Sequence, residues 1–345
     1  MLLPGFGADG QERLGAATVV VIGCGALGCA AADLLCRAGV GTLVIVDRDV
    51  VEWTNLQRQT LFDEGDARAG APKAEAAARR LGAVNSGVRT VPVIADVTAR
   101  NVEALVEGRG AVGGVACAWG RAACVVDATD NFQTRYLVND ACVKHGVALA
   151  YGGVVGTVGT TMTVLPGETA CLRCVFPEPP PAGRAPTCDT AGVLGPMVSA
   201  VASVQAAEAM KVVLGRRGLV RPVVTQIDLW SGVHRELSTA GIDRAACPCC
   251  GARRFEFLEG ERAEGGAGTL CGTDAVQIGG GEAVDLEALA DRLAGVGSVR
   301  RTASMVRAGV GGGVELTVFR DGRAIVRGVR GVEEARGVYA RYVGA

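Results

Sequence analysis

Apolar runs punctuate the first half of the chain. Thr18–Ile22 (TVVVI) is short, continuous and β-branched, as a strand buried on both faces should be. A Gly-rich turn follows, then an Ala-rich helix over Ala26–Ala38 that Gly39 ends. Residues 42–46 (TLVIV) predict a second strand, running out at Asp47. Pro72 at the first helical position predicts a helix through Leu81, since its missing N–H costs nothing there. Cys124–Asp127 predicts a third core strand, Phe132–His145 a helix and residues 147–151 a fourth strand. Strand and helix alternate, so the expected fold is α/β, a doubly wound and mostly parallel sheet.

The pattern then changes. Residues 152–165 alternate Gly, Thr and Val as hairpin strands do, and residues 177–186 (PEPPPAGRAP) read as a mobile loop. A helix is expected over residues 196–214, with Met197, Val201, Val204 and Met210 on one face, then a strand at Val223–Asp228. Residues 259–269 (EGERAEGGAGT) look like a linker. Beyond it the pattern predicts a helix (285–293), a hairpin (314–319 with 324–329) and a last helix (Val332–Tyr342). The expected division is therefore a main domain over 1–258, the linker, and a small α+β appendage over 270–345.

A length of 345 residues fits about two domains. Hydrophobic residues at 49% and charged ones at 21% allow a core, while a net charge of -1 gives no field to recruit nucleic acid or an anionic membrane. Residues 14–32 carry no charge and are long enough to span a bilayer, yet Gly-Cys-Gly-Ala-Leu-Gly interrupts them, which suits a buried strand, turn and helix instead. With no Lys or Arg before Arg13, a secretory signal is not expected. Thirteen cysteines are odd in number and too sparse for a disulfide scaffold. A reducing cytoplasm is the expected location, and paired cysteines there read first as metal ligands.

Gly23-Cys-Gly25-Ala26-Leu27-Gly28 lies between strand and helix, where glycines let backbone N–H groups approach phosphate oxygens. Asp47, at the end of the next strand, is placed for ribose hydroxyls. Alone, this Rossmann-like turn would suggest an NAD-dependent oxidoreductase. The only histidines, His145 and His234, sit in no catalytic pattern. Instead Asp47, Asp49, Asn55, Arg58, Gln59, Lys73 and Asp130 gather beyond strand ends, a mix of cations and carboxylates that suits Mg-ATP better than a nicotinamide. The same residues disfavour a non-catalytic nucleotide-binding scaffold. Cys171-x₂-Cys174 and Cys247-x₂-Cys250 form two knuckles, the spacing of a closed tetrahedral Zn²⁺ site, with Cys249 a spare between them. A thioredoxin-like redox pair is the weaker reading, since neither pair starts a helix after a strand in the way that motif requires. Cys24, Cys29, Cys36, Cys117, Cys124 and Cys142 read as small core hydrophobes.

GCGALGCAA, LVIVDRDVVEWTNLQRQTLF, GAPKAE, VVDATDNFQTRYLVN, CLRC, TCDTAGVLGP and CPCCG occur in order across residues 5–251. In these motifs the sequence resembles the ThiF/MoeB family of adenylyltransferases, relatives of the ubiquitin-activating enzymes. The resemblance implies ATP-dependent adenylylation of the C-terminal glycine of a ubiquitin-like sulfur carrier ending in Gly-Gly, in thiamine or molybdopterin synthesis. It implies a homodimer, with a sulfur donor such as a cysteine desulfurase as a further candidate partner. Asp47 would hold ribose; Asn55, Arg58 and Lys73 would grip the triphosphate; Asp130 would bind Mg²⁺. Asp49 is a candidate near metal or phosphate, and Gln59 supports the cluster. Cys188 matches a cysteine that in some members links covalently to the carrier, so nucleophile and loop residue both stand as readings; Cys271 is a looser sulfur-relay candidate. Family members also carry an N-terminal Arg-Tyr-x-Arg-Gln-like segment. Arg13 aligns after it, so the arginine is expected upstream of Met1.

Overall fold

The computed structural model describes residues 3, 5–180, 191–260, 268–269, 275–279 and 283–344. The chain divides into two compact units, Met1–Ala263 and Glu264–Ala345.

The first unit is built on eight strands: β1 (Thr18–Ile22), β2 (Thr42–Asp47), β3 (Arg89–Ile94), β4 (Cys124–Asp127), β5 (Ala148–Val155), β6 (Val158–Val164), β7 (Val223–Asp228) and β8 (Val233–Ser238). They lie in the order β8-β7-β6-β5-β4-β1-β2-β3. The five from β5 to β3 are parallel, and β6, β7 and β8 extend the sheet antiparallel. Its main helices are α1 (Gly7–Ala16), α2 (Ala26–Ala38), α3 (Lys73–Val84), α4 (Phe132–His145) and α5 (Gly195–Val213). Strand β1 is central and buried at all five positions, which is why its sequence has no polar side. Val19 and Val21 pack into the core shared with α2, α3 and α5, while Val20 and Ile22 face the core that holds α4 and the cysteine knuckles.

Several elements differ from expectation. Pro72 caps α3 from outside, so Lys73 is its first residue, and the helix runs on to Val84. The fourth strand passes through Gly152 and Gly153 to Val155 instead of stopping at Tyr151. Those glycines admit neighbours to the strand: a Cβ on Gly152 would lie 2.5 Å from the Gln205 side chain. Strand β3 was hidden by Pro92, tolerated because β3 pairs only with β2 at the sheet edge. The uncharged stretch 14–32 divides among α1, β1 and α2, and among the described residues no helix is long and apolar enough to cross a membrane. Most of the Pro-rich segment lies outside the described residues.

The second unit contains an antiparallel sheet of six strands, β9 (Gly268–Thr269), β10 (Ala275–Ile278), β11 (Val299–Arg301), β12 (Met305–Gly309), β13 (Glu315–Phe319) and β14 (Ala324–Arg327), with α6 (Leu286–Ala294) and α7 (Val332–Tyr342). Its order is β9-β10-β14-β13-β12-β11, so the expected hairpin is the centre of a larger sheet. Asp285 caps α6 by accepting from the amides of Glu287 and Ala288, while Leu286, Leu289 and Leu293 turn inward.

Candidate active site and metal centre

Strand order reverses between β1 and β4, and the loops leaving their carboxyl ends flank that switch point. Gly23 has φ +87°, and a Cβ there would lie 2.7 Å from the Ala128 carbonyl oxygen. A Cβ on Gly28 would lie 1.9 Å from the Gly23 carbonyl oxygen. Only glycine lets these two turns meet, and helix α2 follows Gly25, its N-cap, with no side-chain cap on its first amides. Asp47 fixes the turn from β2: Oδ2 accepts from Cys24 N at 2.6 Å and Oδ1 from Asp49 N at 2.7 Å. Each oxygen keeps a second lone pair. Burial pushes the Asp47 carboxyl above the ordinary range, outweighing the nearby Lys73 ammonium.

Lys73 opens α3 with its side chain buried and Nζ 3.3 Å from Asp49 Oδ2, while its backbone N–H donates to the Asp49 carbonyl. Burial alone would lower its affinity for a proton. Asp49, then Asp47 and Asp130, more than offset that, so the ammonium stays charged. Asp130 is exposed just past β4. Asn55 is buried and accepts from Glu52 N at 3.0 Å, stabilising its own turn. Arg58 is half-buried and donates to the Thr54 carbonyl at 3.0 Å. Gln59 lies against the glycine turn, its Nε2 3.9 Å from where a Gly25 Cβ would stand, and its buried Oε1 has no partner among the described residues. The fold thus brings Asp47, Asp49, Lys73 and Asp130 into one electrostatic cluster. Asn55 and Arg58 are held by their own loop. Cys188 and Cys271 lie outside the described residues. His145 is occupied by Glu103 (2.7 Å) and Glu107 (3.1 Å), and His234 is exposed on β8.

On the other side of the sheet, Cys171, Cys174, Cys247 and Cys250 converge, their sulfurs all within 4.8 Å of one another. Cys171–Cys174, Cys171–Cys247 and Cys174–Cys250 are 3.8, 3.7 and 3.3 Å apart. A tetrahedron with Zn–S near 2.3 Å has edges of about 3.8 Å, so the donor set fits zinc in both chemistry and size. Hydrogen bonds from the neighbouring thiols, Cys174 first, push Cys171 far below the ordinary thiol range. Cys171 caps a short helix, Leu172–Val175, that does not directly follow a strand, β6 having ended at Val164. Convergence of four thiols further disfavours a two-cysteine redox motif. Cys249 points elsewhere, accepting from Asn139 Nδ2 at 3.4 Å. The six cysteines expected in the core are all buried.

The ThiF family matches residues 1–249. The chain belongs to the ThiF family. The sulfur carrier protein ThiS adenylyltransferase of Bacillus subtilis (strain 168) is 41% identical over 341 residues, 98% of this chain and 96% of that relative. The sulfur carrier protein adenylyltransferase of Thermus thermophilus is 39% identical over 257 residues, 73% of this chain and 88% of the relative. Among solved structures, E. coli MccB with ATP superposes with a TM-score of 0.58 at 22% identity, covering 70% of this chain and 69% of that one, a likeness of fold.

Next to the Asp47–Lys73–Asp130 cluster this ThiF-family chain has a buried polar layer that sequence reading missed. Asp127 Oδ1 accepts from Thr129 N (3.0 Å) and Thr129 Oγ1 (2.7 Å), while its fully buried Oδ2 is unpartnered among the described residues. Burial pushes this carboxyl up despite the opposing Arg135. Arg135 donates from Nη2 (2.8 Å) and Nε (3.3 Å) to the Thr129 carbonyl, its guanidinium over the Phe132 and Tyr151 rings. Gln205 Nε2 donates to the carbonyls of Asp127 (2.7 Å) and Ala150 (2.9 Å), pinning β4 to β5. One signal was available: Gln205 is polar on the apolar face of α5, between Val201 and Ala209.

Proposed function

We propose that this protein adenylylates the C-terminal glycine carboxylate of a ubiquitin-like sulfur carrier protein, releasing pyrophosphate from ATP. The observation that carries the reading is a buried, charged Lys73 set among Asp47, Asp49 and Asp130 beside a glycine turn with uncapped helix amides. The relatives named as adenylyltransferases of sulfur carriers support it, and the Bacillus relative, named for ThiS, favours the thiamine branch.

The reaction needs alignment and charge neutralisation more than acid–base work. A terminal carboxylate is ionised at pH 7 and attacks the α-phosphorus without a base, as the bond to the bridging α,β-oxygen breaks. The Gly23–Gly28 turn receives phosphate oxygens. Asp47 uses its second lone pairs for the ribose, while Lys73, Arg58 and Asn55 stabilise charge gathering on the leaving pyrophosphate. Asp130 is the residue that would hold Mg²⁺, whose charge would help neutralise the phosphates, and Asp49 keeps Lys73 in place. Zinc at Cys171, Cys174, Cys247 and Cys250 supplies structure, since four thiolates leave it no open position. Cys188 is the candidate to capture the activated acyl group afterwards, which intact mass spectrometry of Cys188→Ser with carrier and ATP would detect as a lost adduct.

The test is exchange of labelled pyrophosphate into ATP. Exchange is expected only with a carrier ending in Gly-Gly, and deleting the last glycine moves the carboxylate back by about 3.5 Å and abolishes it. Undiminished exchange with the shortened carrier would overturn the reading.

A further inference from the structure

We infer that Asn139 is a positioning residue that couples the cysteine knuckles to the Asp130 turn through α4, so that metal at one end and nucleotide at the other favour the same placement of this helix. The inference rests on the reading that the Asp130 turn receives the magnesium nucleotide.

Helix α4 is buried on nearly every side from Arg135 to Val143, including Arg135, Asn139 and Asp140. Burying such groups is costly unless each is bonded, and here each has a defined task. Asn139 is fully buried, and its one amide grips both knuckles: Oδ1 accepts from Leu172 N at 2.9 Å, and Nδ2 donates to Cys249 Sγ at 3.4 Å. Asp140 Oδ2 accepts from Phe257 N at 3.1 Å, and the Tyr136 hydroxyl donates to the Phe176 carbonyl at 2.9 Å. Four hydrogen bonds from Tyr136, Asn139 and Asp140 thus register α4 against the chain around the metal centre.

One turn earlier the same helix grips the nucleotide side. Asn131, next to Asp130, caps α4 by accepting from Thr134 N at 2.8 Å. Arg135, four residues before Asn139 and on the same helix face, donates twice to the Thr129 carbonyl. A helix transmits displacement along its axis with little loss, since its own hydrogen bonds keep 1.5 Å per residue. Knuckles closed around a metal hold Leu172 and Cys249 at fixed separation, Asn139 carries that register to α4, and Arg135 delivers it to Thr129 and Asp130. Linkage makes the effect reciprocal: a nucleotide that prefers the fixed turn must tighten the metal.

The experiment is equilibrium competition for zinc by the full chain, with free zinc buffered by a chromogenic chelator, with and without saturating Mg·ATP. Nucleotide is expected to raise zinc affinity by about fivefold or more, the low end of ordinary coupling. Asn139→Asp keeps an acceptor for Leu172 N but loses the donor to Cys249, so the enhancement should fall below about twofold while calorimetry still shows ATP binding. Arg135→Lys, at the opposite end, should lower it likewise and covers the case where the first variant does not fold. Hydrogen exchange at 171–175 in the native chain, slowed by Mg·ATP, needs no variant. Native protein that binds ATP with no change in zinc affinity would overturn the inference and leave the proposed reaction standing. Native protein that binds no ATP would overturn both. Full enhancement in a folded Asn139→Asp would assign the coupling to another path.

Discussion

Four sulfurs converge on one another beside the middle of α4, while just ahead of its first turn Asp130 joins Asp47, Asp49 and Lys73 around the glycine turn. The knuckle side is closed: its four donors suit one ion and leave it no open position, and Arg173 beside them is paired with Glu256 at 2.9 Å, although Arg173 Nε and Asp140 Oδ1 find no partner among the described residues. The side proposed for nucleotide is left open. Among the described residues Gln59 Oε1 has no partner, α2 begins without a side-chain cap, and Lys73 is kept charged by carboxylates that a nucleotide and its metal would engage. A ligand set that closes on itself marks where the fold is fastened, and a charged lysine beside uncapped helix amides marks where chemistry can occur. Removing a group from the closed end should therefore register in stability, and removing one from the open end in rate.

Cys250→Ser is the harshest test of the closed end. Zinc content is expected to fall from about one per chain to near none, and thermal unfolding to lose its cooperative midpoint, because metal binding here is folding free energy. Metal analysis and calorimetry on one preparation decide it. A zinc-free variant with native stability and no pyrophosphate exchange would reverse the comparison, making the metal centre the reactive one.

Arg58→Ala probes the open end where removal disturbs least, since the side chain is half-buried and bonded only to the Thr54 carbonyl among its described contacts. Unfolding stability should move by less than about 0.5 kcal/mol. Pyrophosphate exchange should drop by about 10²-fold or more if the guanidinium stabilises the leaving group. An exchange rate within a factor of two of native would remove Arg58 from the proposed site.

The division between legible and hidden features follows the same contrast. The strand–turn–helix around Gly23 could be read because an all-buried strand has a distinctive composition and its glycines are sterically required. The four sulfurs could be paired from spacing because zinc fixes ligand geometry. Gln205, Arg135 and Asn139 could not be assigned roles, since each acts on a backbone carbonyl, amide or sulfur from another part of the chain, and no local pattern encodes such a partner. Pro92 concealed β3 for a related reason: its tolerance depends on having no second neighbour strand, a property of the assembled sheet.

The smallest expected effect concerns Asp140, a carboxyl within the fastened end. Burial pushes it up to about 6, against hydrogen bonds from Cys249 and Phe257 and the charge of Arg173. Its ordinary value in an unfolded chain is near 3.9, so the folded state holds the proton more tightly. The associated stability is complete below about pH 4 and is lost as pH rises through about 6, beyond which both states are ionised and the dependence is flat. Asp140→Asn keeps an acceptor for Phe257 N and cannot titrate. The stability of the variant relative to the native chain should therefore climb between pH 4 and pH 6 and level off, by at most about 3 kcal/mol in total. Urea unfolding of both zinc-loaded proteins across this range measures it, and thiolate protonation, common to both, cancels in the difference. A difference that stays constant with pH would mean that Asp140 is ionised throughout, and that the closed end tolerates a buried charge as the open end does.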